Sequence, residues 1–356
     1  MKIGVVAVTR QGAATALRVS TALTELPGAE IDVLVPAKFA ADFPGSRPYK
    51  QSLRQLCSEI FQQYSCLVMV MALGIVFRTM APCLGNKRTD PAVVVMDEMG
   101  RFAISALSGH VGGANDMARY IQSKLGSLAV ITTATDVQGL PAVDLLARDY
   151  NLAVEPLHHL KTVSAAMVNG EDVHFYLDGV AKITEIAQYH PEPIDNYLQS
   201  PKKGIIVFIT SRLIAGPPSE SLFLRPRHLV VGLGCRTGIS APAVKAAVEQ
   251  ALILADRSLA SVRLLATIDL RSGEAGLVQA AYEMGLPLVS FSRSEIAGVL
   301  DVKGRDLSYS QFVQDRIGVG GVCEPVALLA APAARLILRK RAFNGVTVAI
   351  VEEDWP

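Results

Sequence analysis

A chain of 356 residues exceeds the ~100–150 residues of a common domain, so two or three domains are expected. Its 34 Lys and Arg nearly cancel its 33 Asp and Glu, which excludes the strong basic field that non-specific binding to nucleic acid or an anionic membrane needs. Half of the residues are apolar but only 6% are aromatic, the palette of buried parallel strands and covering helices in an α/β protein. The five cysteines, Cys57, Cys66, Cys83, Cys235 and Cys323, include no C-x-x-C pair and no histidine at ligand spacing. No structural metal site is expected, and the odd count points to free thiols in a reducing compartment. Residues 2–8 read as a strand with no cleavable leader, and the longest apolar run, residues 67–77, is shorter than the ~20 residues that span a bilayer. A soluble, cytoplasmic protein is expected.

In chain order, residues 3–8 read as a strand, a helix follows near 15–24, then a strand at 31–35, a helix near 53–63 and a strand at 67–71. Alternation of this kind marks βα units around a sheet. Residues 90–96 and 102–105 read as a hairpin, with Gly100 supplying the turn. A helix is expected beyond Gly113, ending near Gly126, and a strand at 128–133. Between 150 and 226 the signal is weaker: a helix near 160–167 and strands at 173–177 and 204–210, with interspersed prolines. A new start follows: a strand at 228–234, an Ala-rich helix near 242–255, a strand at 264–270, a helix at 276–284, a strand at 288–290, a helix at 324–339 and a strand at 346–351. The expected fold is α/β: two α/β domains with mostly parallel sheets, 1–149 and 227–356, joined by a small middle α/β region, 150–226.

The densest constellation is Leu107-Ser108-Gly109-His110-Val111-Gly112-Gly113-Ala114-Asn115-Asp116, after a strand and before a helix. Glycines let backbone approach a ligand, and a helix start presents unpaired N–H groups and partial positive charge. His110 exchanges a proton near neutral pH, with Ser108, Asn115 and Asp116 nearby to orient it. The plainer reading is a glycine-rich turn whose polar residues cap the helix, with Asn115 or Asp116 as the cap. Arg78, Lys87, Arg88 and Asp90 are expected in loops near the same sheet edge, where the cations would suit a ligand with several carboxylates. A solvated charge cluster and a turn initiated by Asp90 are the alternatives.

Near the carboxy terminus, Gly232-Leu233-Gly234-Cys235-Arg236-Thr237-Gly238 follows a strand, but its third glycine is one residue late for a dinucleotide loop. Arg236 and Thr237 point instead to an anion-binding turn. Glu324, before Pro325, is a candidate for either catalysis or helix capping. Cys323 reads as a small buried hydrophobe rather than a nucleophile.

The strings 90–98, 107–115 and 130–136 together resemble the amino-terminal half of the CbiG family, the cobalt-precorrin 5A hydrolases. The strings 231–238, 265–269, 287–292 and 318–326 resemble its carboxy-terminal domain, shared with CobE-like proteins. The resemblance implies the anaerobic cobalamin pathway: opening of the ring A δ-lactone of cobalt-precorrin 5A and loss of acetaldehyde, giving cobalt-precorrin 5B. It implies a tetrapyrrole substrate that carries its own cobalt, and so no cofactor or metal ligands from the protein. A homo-oligomer or transient contact with other corrin-pathway enzymes is left open. A non-catalytic tetrapyrrole carrier or scaffold is the alternative function.

For lactone opening, His110 is expected as general base, oriented by Asp116 or Asp90. Backbone N–H groups of 112–114 would be the oxyanion donors. Arg78, Lys87, Ser108, Gly109, Gly112, Gly113, Asn115, Gly234, Arg236 and Thr237 are the candidate substrate contacts, and Glu324 is a further catalytic candidate.

Overall fold

The computed structural model describes residues 1–86, 89–179, 184–300 and 307–355, and the chain divides into two compact units, Met1–Leu145 and Leu146–Pro356. The first is built on a seven-stranded sheet. Its strands are β1 (Lys2–Ala7), β2 (Glu30–Pro36), β3 (Arg47–Tyr49), β4 (Cys66–Val70), β5 (Ala92–Met96), β6 (Phe102–Leu107) and β7 (Leu128–Val130). They lie in the order β3-β2-β1-β4-β5-β6-β7, and all neighbours are parallel except β5 and β6. The central strands are continuous apolar runs because both faces are covered. Alternate side chains of β1 show this: Ile3, Val5 and Ala7 pack with Ala16 and Val19 of helix Arg10–Leu23 and with Ala118 of helix Ala114–Leu125. Val6 points the other way, toward Leu56 and Met80 of helices Leu53–Ile60 and Leu73–Met80.

The β5–β6 hairpin forms as expected, with Gly100 at φ +71° and Asp97 accepting the backbone N–H groups of Arg101 and Phe102. Helix Ala114–Leu125 lies between left-handed Gly113 and Gly126, also as expected. Helix Leu73–Met80 is a correction: it places Arg78 in a last helical turn rather than in a loop. The apolar run 67–77 hides the change from strand to helix, because buried strands and helices share one composition.

The second unit holds two five-stranded sheets. The first contains β8 (Leu152–Glu155), β9 (Val173–Leu177), β10 (Glu192–Pro193), β11 (Ile205–Ile209) and β12 (Leu222–Pro226), in the order β10-β9-β11-β12-β8. Only β8 is antiparallel to its neighbour. Its core is aromatic, with Tyr176, Tyr197 and Phe208 packed together.

The second sheet contains β13 (Leu229–Cys235), β14 (Val262–Ile268), β15 (Leu288–Phe291), β16 (Arg335–Phe343) and β17 (Val346–Glu352), in the order β15-β14-β13-β17-β16. Here the structure corrects the expected helix 324–339. The helix runs only from Cys323 to Ala330, and β16 then pairs antiparallel with β17 through a turn at Asn344 and Gly345, both at positive φ. Pro332 disfavours helix at the residue before it, and Asn-Gly between two apolar runs is a hairpin signal.

Candidate functional site

In the first unit, the loop from β6 to helix Ala114–Leu125 meets the start of β5 and the segment after β7. Because β6 runs antiparallel to β5, its carboxyl end lies beside Asp90, and Ser108 Oγ donates to the Asp90 carbonyl at 3.1 Å. His110 lies between two carboxylates. Its Nε2 is 2.7 Å from Asp136 Oδ2 and 2.9 Å from Thr135 Oγ1, and its Nδ1 is 3.5 Å from Asp144 Oδ1. Asp136 also accepts from Asn115 Nδ2 at 2.9 Å and from the Arg119 guanidinium.

The electrostatics follow from this geometry. Asp144 first, and Asp136 after it, raise the His110 pKa above its ordinary value, against a burial that would lower it. Burial opposes ionisation of both carboxyls. For Asp136 the hydrogen bonds from Arg119 and His110 outweigh it, and for Asp144 the one from His110 does, so both stay below the usual carboxylate range. Relative to a free histidine, the two carboxylates favour the imidazolium, the form that can donate a proton.

The loop spends its backbone groups internally. Gly113 N–H donates to the His110 carbonyl, Ala114 N–H to Ser108 and Asn115 N–H to Gly109. Two of the three amides expected to receive an oxyanion are therefore occupied. The glycines make room for the loop itself: a Cβ on Gly112 would come 2.3 Å from Ser108 Cβ, and one on Gly109 would come 2.7 Å from Asn115 Oδ1. Ser108 is held at φ +53°, the left-handed region that a side chain makes costly.

In the second unit, a cleft of about 740 Å³ opens beside the carboxyl end of β13, within the roughly 300–1,000 Å³ range of small-molecule sites. Gly234, Arg236 and Thr237 line it, as do the cations Arg271, Arg316 and Lys340 and the apolar Phe312 and Ile317. None of the described residues lining it is acidic. Arg271 donates to Thr237 Oγ1 at 2.8 Å.

Three family models match this chain in order: the cobalamin synthesis G amino-terminal region at residues 55–136, the cobalamin biosynthesis central region at 141–226, and the cobalamin synthesis G carboxy terminus at 229–351. The chain belongs to the CbiG family. Among its relatives, the cobalt-precorrin-5A hydrolase of Priestia megaterium is 33% identical over 85% of this chain and 82% of its own length. That of Salmonella typhimurium is 32% identical over 86% of this chain and 87% of its own. A probable cobalt-precorrin-5A hydrolase of Methanocaldococcus jannaschii is 31% identical over 81% and 85%.

Within this CbiG chain, the remaining candidates fall into place as follows. Asp90 accepts the backbone N–H groups of Gly85 and Asn86, so its carboxylate caps a loop instead of orienting His110. Asp116 is half exposed and pairs with Arg119 at 3.6 Å. Lys87 and Arg88 lie outside the described residues. Glu324 is 1% exposed and accepts from the backbone N–H and hydroxyl of Ser308 and from the backbone N–H of Lys340. It fastens the 307–310 segment to β16, and it does not line the cleft.

The glycines of 232–234 also have a packing reason. A Cβ on Gly232 would stand 1.9 Å from the Cys323 carbonyl oxygen, so this strand needs glycine to receive helix Cys323–Ala330. Sequence reasoning missed Asp136, Asp144, Arg271, Arg316 and Lys340. Asp136 is adjacent to Thr135 just beyond an expected strand, whereas Lys340 directly follows the expected helix 324–339, whose second half is strand β16 in the structure. Among the described residues, no group of three or more His, Cys, Asp and Glu is placed to hold a metal, and no helix is long and apolar enough to cross a membrane.

Proposed function

We propose that this protein is a cobalt-precorrin 5A hydrolase, opening the ring A δ-lactone and releasing the carbon fragment as acetaldehyde to give cobalt-precorrin 5B. The observation that carries the reading is the pair of curated relatives of that name, each matched over more than four-fifths of both chains. The cleft beside β13 supports it with the right chemistry: a polycarboxylate macrocycle meets cations around an apolar wall. Gly234, Arg236 and Thr237 contact the ring there. Its cobalt arrives as part of the substrate, the protein supplies no cofactor, and the reaction takes place in the cytoplasm.

In the reaction, water adds to the lactone acyl carbon and the acyl carbon–oxygen bond breaks. The leaving oxygen takes a proton from the His110 imidazolium. The hydroxyl so formed then loses its proton as the adjacent carbon–carbon bond breaks. Its electron pair returns to the macrocycle, which is protonated, and acetaldehyde departs. His110 is thus a proton donor in this scheme, the role its two carboxylates favour, and Asp136 and Asp144 are its positioning residues.

The test is to mix purified protein with cobalt-precorrin 5A and trap acetaldehyde with alcohol dehydrogenase and NADH. Release with turnover is expected. Binding of the corrinoid with no acetaldehyde would identify a carrier instead.

A further inference from the structure

The two ring nitrogens of His110 are held unequally. Nε2 faces Asp136 Oδ2 at 2.7 Å and Thr135 Oγ1 at 2.9 Å, both on helix Ala134–Gln138. Asp136 is itself fixed at both oxygens: Oδ1 takes the Arg119 guanidinium, and Oδ2 takes Asn115 Nδ2 at 2.9 Å. Asn115 is 2% exposed and also donates to Thr133 Oγ1 at 3.1 Å. This side of the ring therefore cannot shift without breaking several linked contacts. Nδ1 meets Asp144 Oδ1 at 3.5 Å, longer than the roughly 2.7–3.2 Å of a firm N–H···O bond. The same oxygen of Asp144 is shared with the Leu145 backbone N–H at 3.0 Å, and it enters from the first turn of a different helix, Val143–Asp149.

Imidazole chemistry gives this asymmetry a direction. A carboxylate bonded to one ring nitrogen keeps the proton there and leaves the other nitrogen for transfer. The firm Asp136 contact marks Nε2 as the retained N–H, and the looser Asp144 contact marks Nδ1 as the exchangeable one. Asp144 is also the partner that raises the His110 pKa most. A neutral oxygen in place of that carboxylate would stabilise the imidazolium less and so make it a stronger acid when the proton is needed. Charge reaches the ring from Asp136 and Asp144 directly and, one contact further out, from Arg119 on Asp136 and Asp116 on Arg119.

We propose that His110 gives its proton from Nδ1, the leaving oxygen of the substrate taking the place that Asp144 holds in the resting site, while Asp136 keeps Nε2 protonated. This rests on the reading of His110 as the proton donor in lactone opening. In that step the Nδ1–H bond breaks, its electron pair stays on the ring, and the proton forms the O–H bond of the new hydroxyl. When the hydroxyl loses its proton in the carbon–carbon cleavage, Nδ1 takes it back and the imidazolium is restored. Asp144 is a positioning residue that holds the proton between turnovers, and Asn115 and Arg119 act through Asp136.

Two readouts on the full chain test this. In protein carrying ¹⁵N-labelled histidine, NMR reports which nitrogen bears the proton once His110 is neutral, with His110→Gln identifying its signals. Nε2–H is expected. The second readout is the pH profile of acetaldehyde release, because kcat/KM titrates the free enzyme and kcat the substrate complex. The alkaline limb of kcat should lie at lower pH than that of kcat/KM, since Asp144 is displaced only in the complex. Asp144→Asn, which keeps an acceptor for the Leu145 N–H, should lower the kcat/KM limb by about one pH unit and leave the kcat limb in place. Asp136→Asn should lower both. The tautomer and the separation of the two limbs are read on the parent protein, so they decide the matter even where a variant does not fold.

A neutral His110 protonated at Nδ1, coincident limbs in the parent, or an Asp144→Asn variant whose two limbs fall together would overturn the proposal. Each of these with acetaldehyde still released defeats this proposal alone. Undiminished turnover in His110→Gln defeats the donor reading, and no acetaldehyde from the parent defeats the hydrolase reading; this proposal falls with either.

Discussion

His110 Nε2 stands 2.7 Å from Asp136 Oδ2, and the same oxygen accepts from Asn115 Nδ2 at 2.9 Å. One carboxylate thus ties the glycine loop, the helix that follows it and the segment after β7 into a single charged group. Its consequences for rate, stability and mutation can each be measured.

The rate should depend on the protonated imidazole. Asp144 and Asp136 raise the His110 pKa above its ordinary 6.5, so acetaldehyde release should persist through that pH and decline as pH rises through the higher value. Asp136→Asn removes one of the two carboxylates and should shift this alkaline limb to lower pH in a profile of kcat/KM. His110→Ala should slow turnover ~10²–10⁴-fold with corrinoid binding retained. An alkaline limb that does not move in Asp136→Asn would exclude Asp136 from control of the histidine.

Stability should follow the same linkage, with opposite signs for acid and base. The His110 pKa is raised on folding from 6.5, so its contribution is complete below pH 6.5 and is lost as pH rises through the folded value. Asp136 and Asp144 are lowered from 3.8, so theirs is present above pH 3.8 and is lost as pH falls through the folded values. The gap in Tm between the parent and His110→Ala should therefore be widest between pH 3.8 and 6.5 and narrow on the alkaline side. A gap independent of pH would mean that packing alone sets it.

Much of this architecture was legible because its signals are local. Ile3–Ala7 of β1 is an apolar run bounded by a helical pattern, and Gly113 and Gly126 mark both ends of one helix. The partners of His110 were not legible, because Asp136 and Asp144 come from segments 26 and 34 residues away in the chain, with no spacing rule linking them to a histidine. The β16 strand was misread because Arg335–Phe343 follows a true helix and keeps its apolar character, while the Asn344-Gly345 turn that gives it away lies at its far end. The cationic cleft was visible only through Arg236 and Thr237, since Arg316 and Lys340 reach it from elements distant in sequence.

Two glycines should prove intolerant for steric reasons. Gly232→Ala would drive a Cβ to 1.9 Å from the Cys323 carbonyl oxygen, and Gly112→Ala to 2.7 Å from that of Ser108. Both obstacles are backbone, which cannot rotate aside, so a loss of ~1–3 kcal/mol or more is expected for each. Thermal unfolding checks this, and a Tm like the parent's for Gly232→Ala would show that helix Cys323–Ala330 is not seated as described.

Glu324 should behave as a structural fastener. Its removal in Glu324→Ala leaves the backbone N–H groups of Ser308 and Lys340 without their acceptor, at ~1–3 kcal/mol for each buried group. Glu324→Gln keeps one acceptor oxygen and should recover part of the loss. In both variants kcat per folded molecule should match the parent. A large fall in kcat with Tm unchanged would return Glu324 to the chemistry.

The central claim is hydrolysis of the lactone at its acyl carbon, and solvent labelling tests it most directly. A single turnover of cobalt-precorrin 5A in H₂¹⁸O should release one acetaldehyde per ring and leave one ¹⁸O in the new carboxylate of the corrinoid, read by mass spectrometry. A corrinoid product without the label, or consumption of substrate without acetaldehyde, would contradict the account.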